Sequence, residues 1–172
     1  MKSLAMLLSF LLIGNILYSQ DFKYVGAQKC KMCHNSEEKG KQFTKWTETL
    51  HSKAFATLQG PEALKYAKAH NIADPSKEAK CLKCHATAAG IDAGLIAGLT
   101  VEEGVSCESC HGPGSAYKAI PVMKDLAQAK KNGLIIPDET VCKKCHNPES
   151  PNYKPFDFAT YSQKIAHPRP KK

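Results

Sequence analysis

The spacing of apolar positions predicts a chain of short helices behind one long apolar run. Residues 4–17 are almost wholly apolar and follow the positive charge of Lys2, with Gly14 and Asn15 near the end of the run. Leu17-Tyr18-Ser19 then places a small residue before Gln20, where signal peptidase would cut. This is the pattern of a secretory signal, and the run is short for a membrane span. No cysteine sits at the cut, which argues against a lipid anchor. Residues 1–19 therefore read as a signal peptide and residues 20–172 as one mature domain beginning near Gln20 or Asp21. The protein is expected to be periplasmic or extracellular, with no stable membrane insertion after cleavage.

Further along, residues 36–58 carry apolar side chains at Phe43, Trp46, Leu50, Ala54 and Leu58. That spacing predicts a helix, and at about 100° per residue His51 falls inside its apolar arc. Residues 61–71 predict a shorter helix with Pro61 at its first position, and His70 shares a face with Ala63 and Ala67. A third helix starts at Asp157 with Phe158, Tyr161 and Ile165 as its stripe. His167 lies off that stripe, and Pro168 ends the helix nearby. Residues 86–104, rich in Ala and Gly, read as a close-packed loop or a flexible segment. Residues 148–155 read as a turn-rich linker, and the basic tail after His167 as disordered. The fold class is mostly α.

The chemistry lies in the cysteines. All eight fall in four Cys-x-x-Cys-His runs: Cys30-Lys31-Met32-Cys33-His34, Cys81-Leu82-Lys83-Cys84-His85, Cys107-Glu108-Ser109-Cys110-His111 and Cys142-Lys143-Lys144-Cys145-His146. Two thiols at this spacing reach the two vinyl groups of one porphyrin, and the adjacent histidine meets the iron. Zinc ribbons and redox disulfides also use paired cysteines, but neither requires a histidine after each second one. The expected cofactors are four covalently attached haem c groups, with His34, His85, His111 and His146 as proximal iron ligands. Export agrees, since thioether attachment takes place outside the cytoplasm.

Little polypeptide is available per macrocycle, and Trp46 is the only tryptophan. A chain of this size buries a limited core by itself. Short helices and loops wrapped around four closely stacked haems are the expected architecture, with folding dependent on the cofactor. The formal charge of +8 and a pI near 9.0 do not point to nucleic acid. Haem propionates offset much of that charge, and the lysines serve better to neutralise them and to guide docking of redox partner proteins.

The sequence has seven histidines. Once the four proximal ligands are assigned, His51, His70 and His167 remain, too few for four sixth positions. Met123 and, less favourably, Tyr117 are further candidates for a sixth ligand, although methionine is more often packing.

The run Gly104-Val105-Ser106-Cys107-Glu108-Ser109-Cys110-His111-Gly112-Pro113-Gly114 resembles the third haem site of the cytochrome c-554 family of tetrahaem electron carriers. Lys45-Trp46-Thr47-Glu48-Thr49-Leu50-His51-Ser52-Lys53-Ala54 resembles the segment that supplies a distal histidine there, and the order of the four motifs matches across most of residues 24–167. The resemblance implies a mostly helical fold with stacked haems. It implies His51 as distal ligand at the Cys107/Cys110 haem and His167 at the Cys142/Cys145 haem. The type member has a five-coordinate haem at the second motif. The family commonly carries a histidine shortly after Gly-Pro-Gly for the first haem, and Ser115-Ala116-Tyr117-Lys118 here has none. The stretch between the third and fourth motifs is also short.

Three functions follow as expectations. The leading one is an exported carrier passing single electrons between redox partners. The second is a small reductase acting on nitric oxide, hydroxylamine, nitrite or peroxide at a five-coordinate haem. The third is a homo-oligomer or filament in which His167 ligates a haem of a neighbouring subunit.

Overall fold

The structure, a computed structural model, describes residues 21–167, so the segment read as a signal peptide and the tail beyond His167 lie outside the described residues. Ten short α-helices follow one another among them: α1 Ala27–His34, α2 Gln42–Glu48, α3 Ala54–Thr57, α4 Pro61–Ala69, α5 Ala79–His85, α6 Cys107–His111, α7 Ile120–Lys124, α8 Leu126–Lys131, α9 Glu139–Lys143 and α10 Phe158–Ile165. Three 3₁₀ turns lie between them, at Glu37–Lys39, Ala93–Leu95 and Val101–Glu103. No strand occurs among the described residues; Tyr24 and Ile96 form one isolated bridge. The mostly α class holds. Among the described residues no helix is long and apolar enough to cross a membrane.

Local chemistry explains the boundaries. The Asp125 carboxylate accepts from Ala127 N and Gln128 N to start α8. Asp138 accepts from Thr140 N and Val141 N at α9, and Asp157 from Thr160 N at α10. These caps satisfy amides that have no partner within their helix. α4 starts with Pro61 and stops at His70, where Asn71 turns left-handed (φ 55°) and Ile72 N donates to Ala67 O.

The long helix expected over 36–58 is broken. Gly40 and Lys41 are both left-handed, and Thr49 is extended between α2 and α3. Ser52 Oγ donates to Thr47 O and Thr49 O, so a side chain takes up carbonyls that a continuing helix would use. His51 therefore sits in a turn, and the helical period does not orient it.

Among the described residues ten hydrophobic ones are buried, and half of them are alanines. The main polypeptide core gathers where residues 23–27, α6 and the loop after it meet. Val25, Ala27 and Tyr117 surround the buried side chains of Ser106 and Glu108. Residues 86–104 are packed rather than loose, since Tyr24 N donates to Leu95 O and Ala97 N to Tyr24 O. Gly26, at φ +82°, lies so close to this segment that a Cβ would stand 2.6 Å from Gly98 O.

Candidate functional site

Each Cys-x-x-Cys-His run stands at the C-terminal end of a short helix: α1, α5, α6 and α9, the last ending at Lys143 just before Cys145 and His146. The spacing is i, i+3, i+4, which on a helix is a single face. Both thiols and the imidazole are thus aimed together by the backbone.

The thiols also show which runs are neighbours. Cys30 and Cys107 lie side by side, joining the first run to the third. Burial pushes the Cys110 thiol up, and nearby Cys142 adds to this, joining the third run to the fourth. Cys145 is pushed up to about 12 by burial and then by Cys84, joining the fourth run to the second. The exposed Lys83–Glu149 ion pair, at 2.7 Å, spans the same junction. The spatial order is first, third, fourth, second.

Two of the three spare histidines face a proximal one. The rings of His111 and His167 lie 6.0 Å apart between centres, inclined by 35°. Those of His51 and His146 are also 6.0 Å apart, inclined by 79°. A metal–imidazole bond of about 2 Å on each side, plus about 1 Å from each ring centre to its nitrogen, gives about 6 Å. A haem iron between the rings fits both pairs. The donor chemistry fits as well. His111 Nδ1 lies 3.1 Å from Ile135 O, and His85 Nδ1 lies 2.8 Å from Ala54 O and 3.2 Å from Thr57 Oγ1. Donation from Nδ1 leaves Nε2 with a lone pair for a metal. Burial is the first cause lowering the pKa of His34, His51, His111 and His146. That favours the neutral, ligating imidazole.

The pairings are the reverse of those implied by the resemblance. His51 meets His146 of the fourth run, and His167 meets His111 of the third. The last helix explains the second exchange. Phe156 stacks on His146 at 4.7 Å just before α10. Eight residues at 1.5 Å each then carry the chain about 12 Å away, towards the third run. His51 is held through its backbone, because its carbonyl accepts from Val105 N at 2.9 Å. That bond ties the His51 turn beside the third run while the ring turns to the fourth. His167, the expected donor to a neighbouring subunit, lies instead against His111 of its own chain.

The remaining candidates lie elsewhere. His70 is exposed and stacks on Tyr66 of its own helix at 3.9 Å, with Nδ1 at 2.9 Å from Tyr66 O. Proximal His34 lies beside Gln42. Tyr117 is buried with its hydroxyl donating to Gly112 O at 2.8 Å, so it braces the loop after the third run. Met123 lies half-buried on α7. Two residues escaped sequence reasoning. Phe156 stacks on a proximal histidine, and only its place shortly after the fourth run hinted at this. Glu108 is fully buried within the third run although its type is normally exposed.

Residues 29–112 match the family model described as cytochrome c554 and c-prime. The chain is also 30% identical over 145 residues to cytochrome c-554 of Nitrosomonas europaea, a match covering 78% of this chain and 57% of that protein. The chain thus spans just over half the length of that relative. No solved structure matches it.

Proposed function

The chain belongs to the cytochrome c-554 family, and from that premise we propose that it is an exported tetrahaem c-type cytochrome that carries single electrons between redox partner proteins. The observation that carries this reading is the pair of histidine couples at iron-spanning distance, set on runs that form one continuous spatial order. Bound haem supplies reversible one-electron chemistry at the iron. The polypeptide holds it. Cys30 and Cys33, Cys81 and Cys84, Cys107 and Cys110, and Cys142 and Cys145 would form the thioethers. His34, His85, His111 and His146 would be proximal ligands, with His167 and His51 distal at the third and fourth sites. Residues 1–19 would direct export and residues 20–172 would form one domain.

A second reading keeps the family and makes the protein a small reductase. It is favoured by the second site, where His85 is anchored through Ala54 and Thr57 and no other histidine ring contacts it among the described residues. Electrospray mass spectrometry of exported holoprotein tests the common premise, with four haem additions and four electrons accepted in a coulometric titration expected. Fewer than four additions with all eight cysteines intact overturns the tetrahaem assignment. Turnover of nitric oxide, hydroxylamine, nitrite or peroxide by the reduced protein would move the assignment to the reductase.

A further inference from the structure

Glu108 is 2% exposed, and no lysine, arginine or histidine nitrogen pairs with it among the described residues. Its Oε1 accepts from Gly114 N at 2.6 Å and Val25 N at 2.9 Å. Its Oε2 accepts from Gly26 N at 2.8 Å and Val25 N at 3.0 Å. Every hydrogen bond on both oxygens thus comes from a backbone N–H. This is the environment of a carboxylate stabilised by backbone amides rather than by a counter-ion. Its charge acts on Tyr24, on Tyr117 and on Cys30 of the first run. The Tyr117 hydroxyl is pushed up by burial first, and then by Cys30 and Glu108.

The third and fourth sites allow a like-for-like comparison, since each pairs two histidines at 6.0 Å. The residues between their cysteines differ in charge. The third run carries Glu108 and Ser109 there, where the fourth carries Lys144 and a Lys143 that is paired with Glu139 at 2.8 Å. His111 also has a hydrogen-bond partner at Nδ1, in Ile135 O, whereas the imidazole of His146 makes only ring contacts among the described residues. A hydrogen bond from Nδ1 makes the imidazole a stronger donor to iron, and a buried negative charge favours the more positive oxidation state.

Resting on the tetrahaem reading above, we propose that the buried Glu108 carboxylate holds the third haem site at a lower reduction potential than the fourth, and so biases the molecule towards keeping an electron at His146 and His51. Glu108 acts as a positioning and field-setting residue and does not touch a reacting atom in this role.

The test is a potentiometric titration of the holoprotein followed by EPR. The two sites are separable because nearly perpendicular imidazoles, as at the fourth site, give a strongly anisotropic low-spin ferric signal. The smaller angle at the third site gives a rhombic one. In the wild-type protein the rhombic signal should disappear last on reduction. Glu108→Gln should change the equilibrium between the two sites by about tenfold or more, which is 59 mV for one electron. Glu108→Asp, which keeps the charge, should retain most of the gap, and Tyr117→Phe, which loosens the same loop without altering charge, should leave it unchanged. An unchanged gap in Glu108→Gln, or equal shifts in the Gln and Asp variants, overturns the proposal. If Glu108→Gln does not take up haem, the order of reduction in the wild-type protein decides: a third site reduced first overturns it. Loss of both low-spin signals from the oxidised wild-type protein would instead sink the ligation reading, a separately visible failure.

Discussion

Replacing His51 by alanine is the sharpest test of how the site is built. The imidazole stands 6.0 Å from that of His146, the spacing an iron between them requires, and its ring is inclined by 79°. His51→Ala removes this partner while leaving the turn in place, because the anchoring bonds are made by the main chain. Val105 N still donates to His51 O at 2.9 Å, and Ala54 N to the same carbonyl at 3.1 Å. With four haems bound, one site in four should pass from low to high spin, and the signal lost should be the strongly anisotropic one. His167→Ala should also convert one site in four, but should remove the rhombic signal, in keeping with the 35° inclination at His111. His70→Ala should convert none, since that ring stacks on Tyr66 at the surface. EPR of the ferric protein at helium temperature, integrated against total haem, reads all three. Were His51→Ala to abolish the rhombic signal and His167→Ala the anisotropic one, the family-implied pairings would stand and the His51–His146 and His167–His111 pairings would be wrong. An unchanged spin count in both variants would refute histidine ligation from these positions altogether.

Other outcomes follow from the same geometry. Tyr117→Phe deletes a buried hydroxyl that donates to Gly112 O at 2.8 Å. It should cost about 1–3 kcal/mol by leaving that carbonyl without the bond, read as a lower midpoint in thermal unfolding of the holoprotein. Gly112→Ala places a Cβ 2.5 Å from Gly133 O at a residue with φ +75°. Ile135, whose carbonyl faces His111 Nδ1, lies just beyond Gly133, so this substitution should lower the rhombic low-spin signal as well as stability. Acidification has a defined sign. Burial lowers the pKa of His51, His111 and His146 below the ordinary imidazole value of about 6.5, and a ring bound to iron would have no free lone pair to protonate, so acid favours the unfolded chain. Stability is therefore fully present above that value and declines as pH falls below it, which a pH series of thermal midpoints will show. A midpoint that rises on acidification between pH 7 and 5 would contradict that sign.

The four Cys-x-x-Cys-His runs were legible in the sequence because the chemistry is local: positions i, i+3 and i+4 share one helical face wherever the chain folds helically. The mostly α class, the proline at the start of α4 and the Asp157 start of α10 were legible for the same reason, as each depends on side chains within a turn or two. The continuous helix over 36–58 was misread. Apolar spacing cannot register that Gly40, Lys41 and Thr49 leave helical geometry, or that Ser52 draws carbonyls to its hydroxyl. His51 ends up facing a proximal histidine through a turn tied to Val105, 54 positions along the chain, and not through a helical stripe. Which spare histidine meets which proximal one is a question of long-range placement, settled by the length and direction of α10 and by the Phe156–His146 stack. Glu108 teaches the same lesson. Its neighbours in sequence mark it as the variable position of a haem run, and only the approach of Val25, Gly26 and Gly114 makes it a buried carboxylate ringed by amides. Local covalent spacing thus determined what groups this chain could hold, whereas contacts between distant segments decided which histidines and cysteines come together, because burial and ring-to-ring distance exist only once the chain has closed on itself.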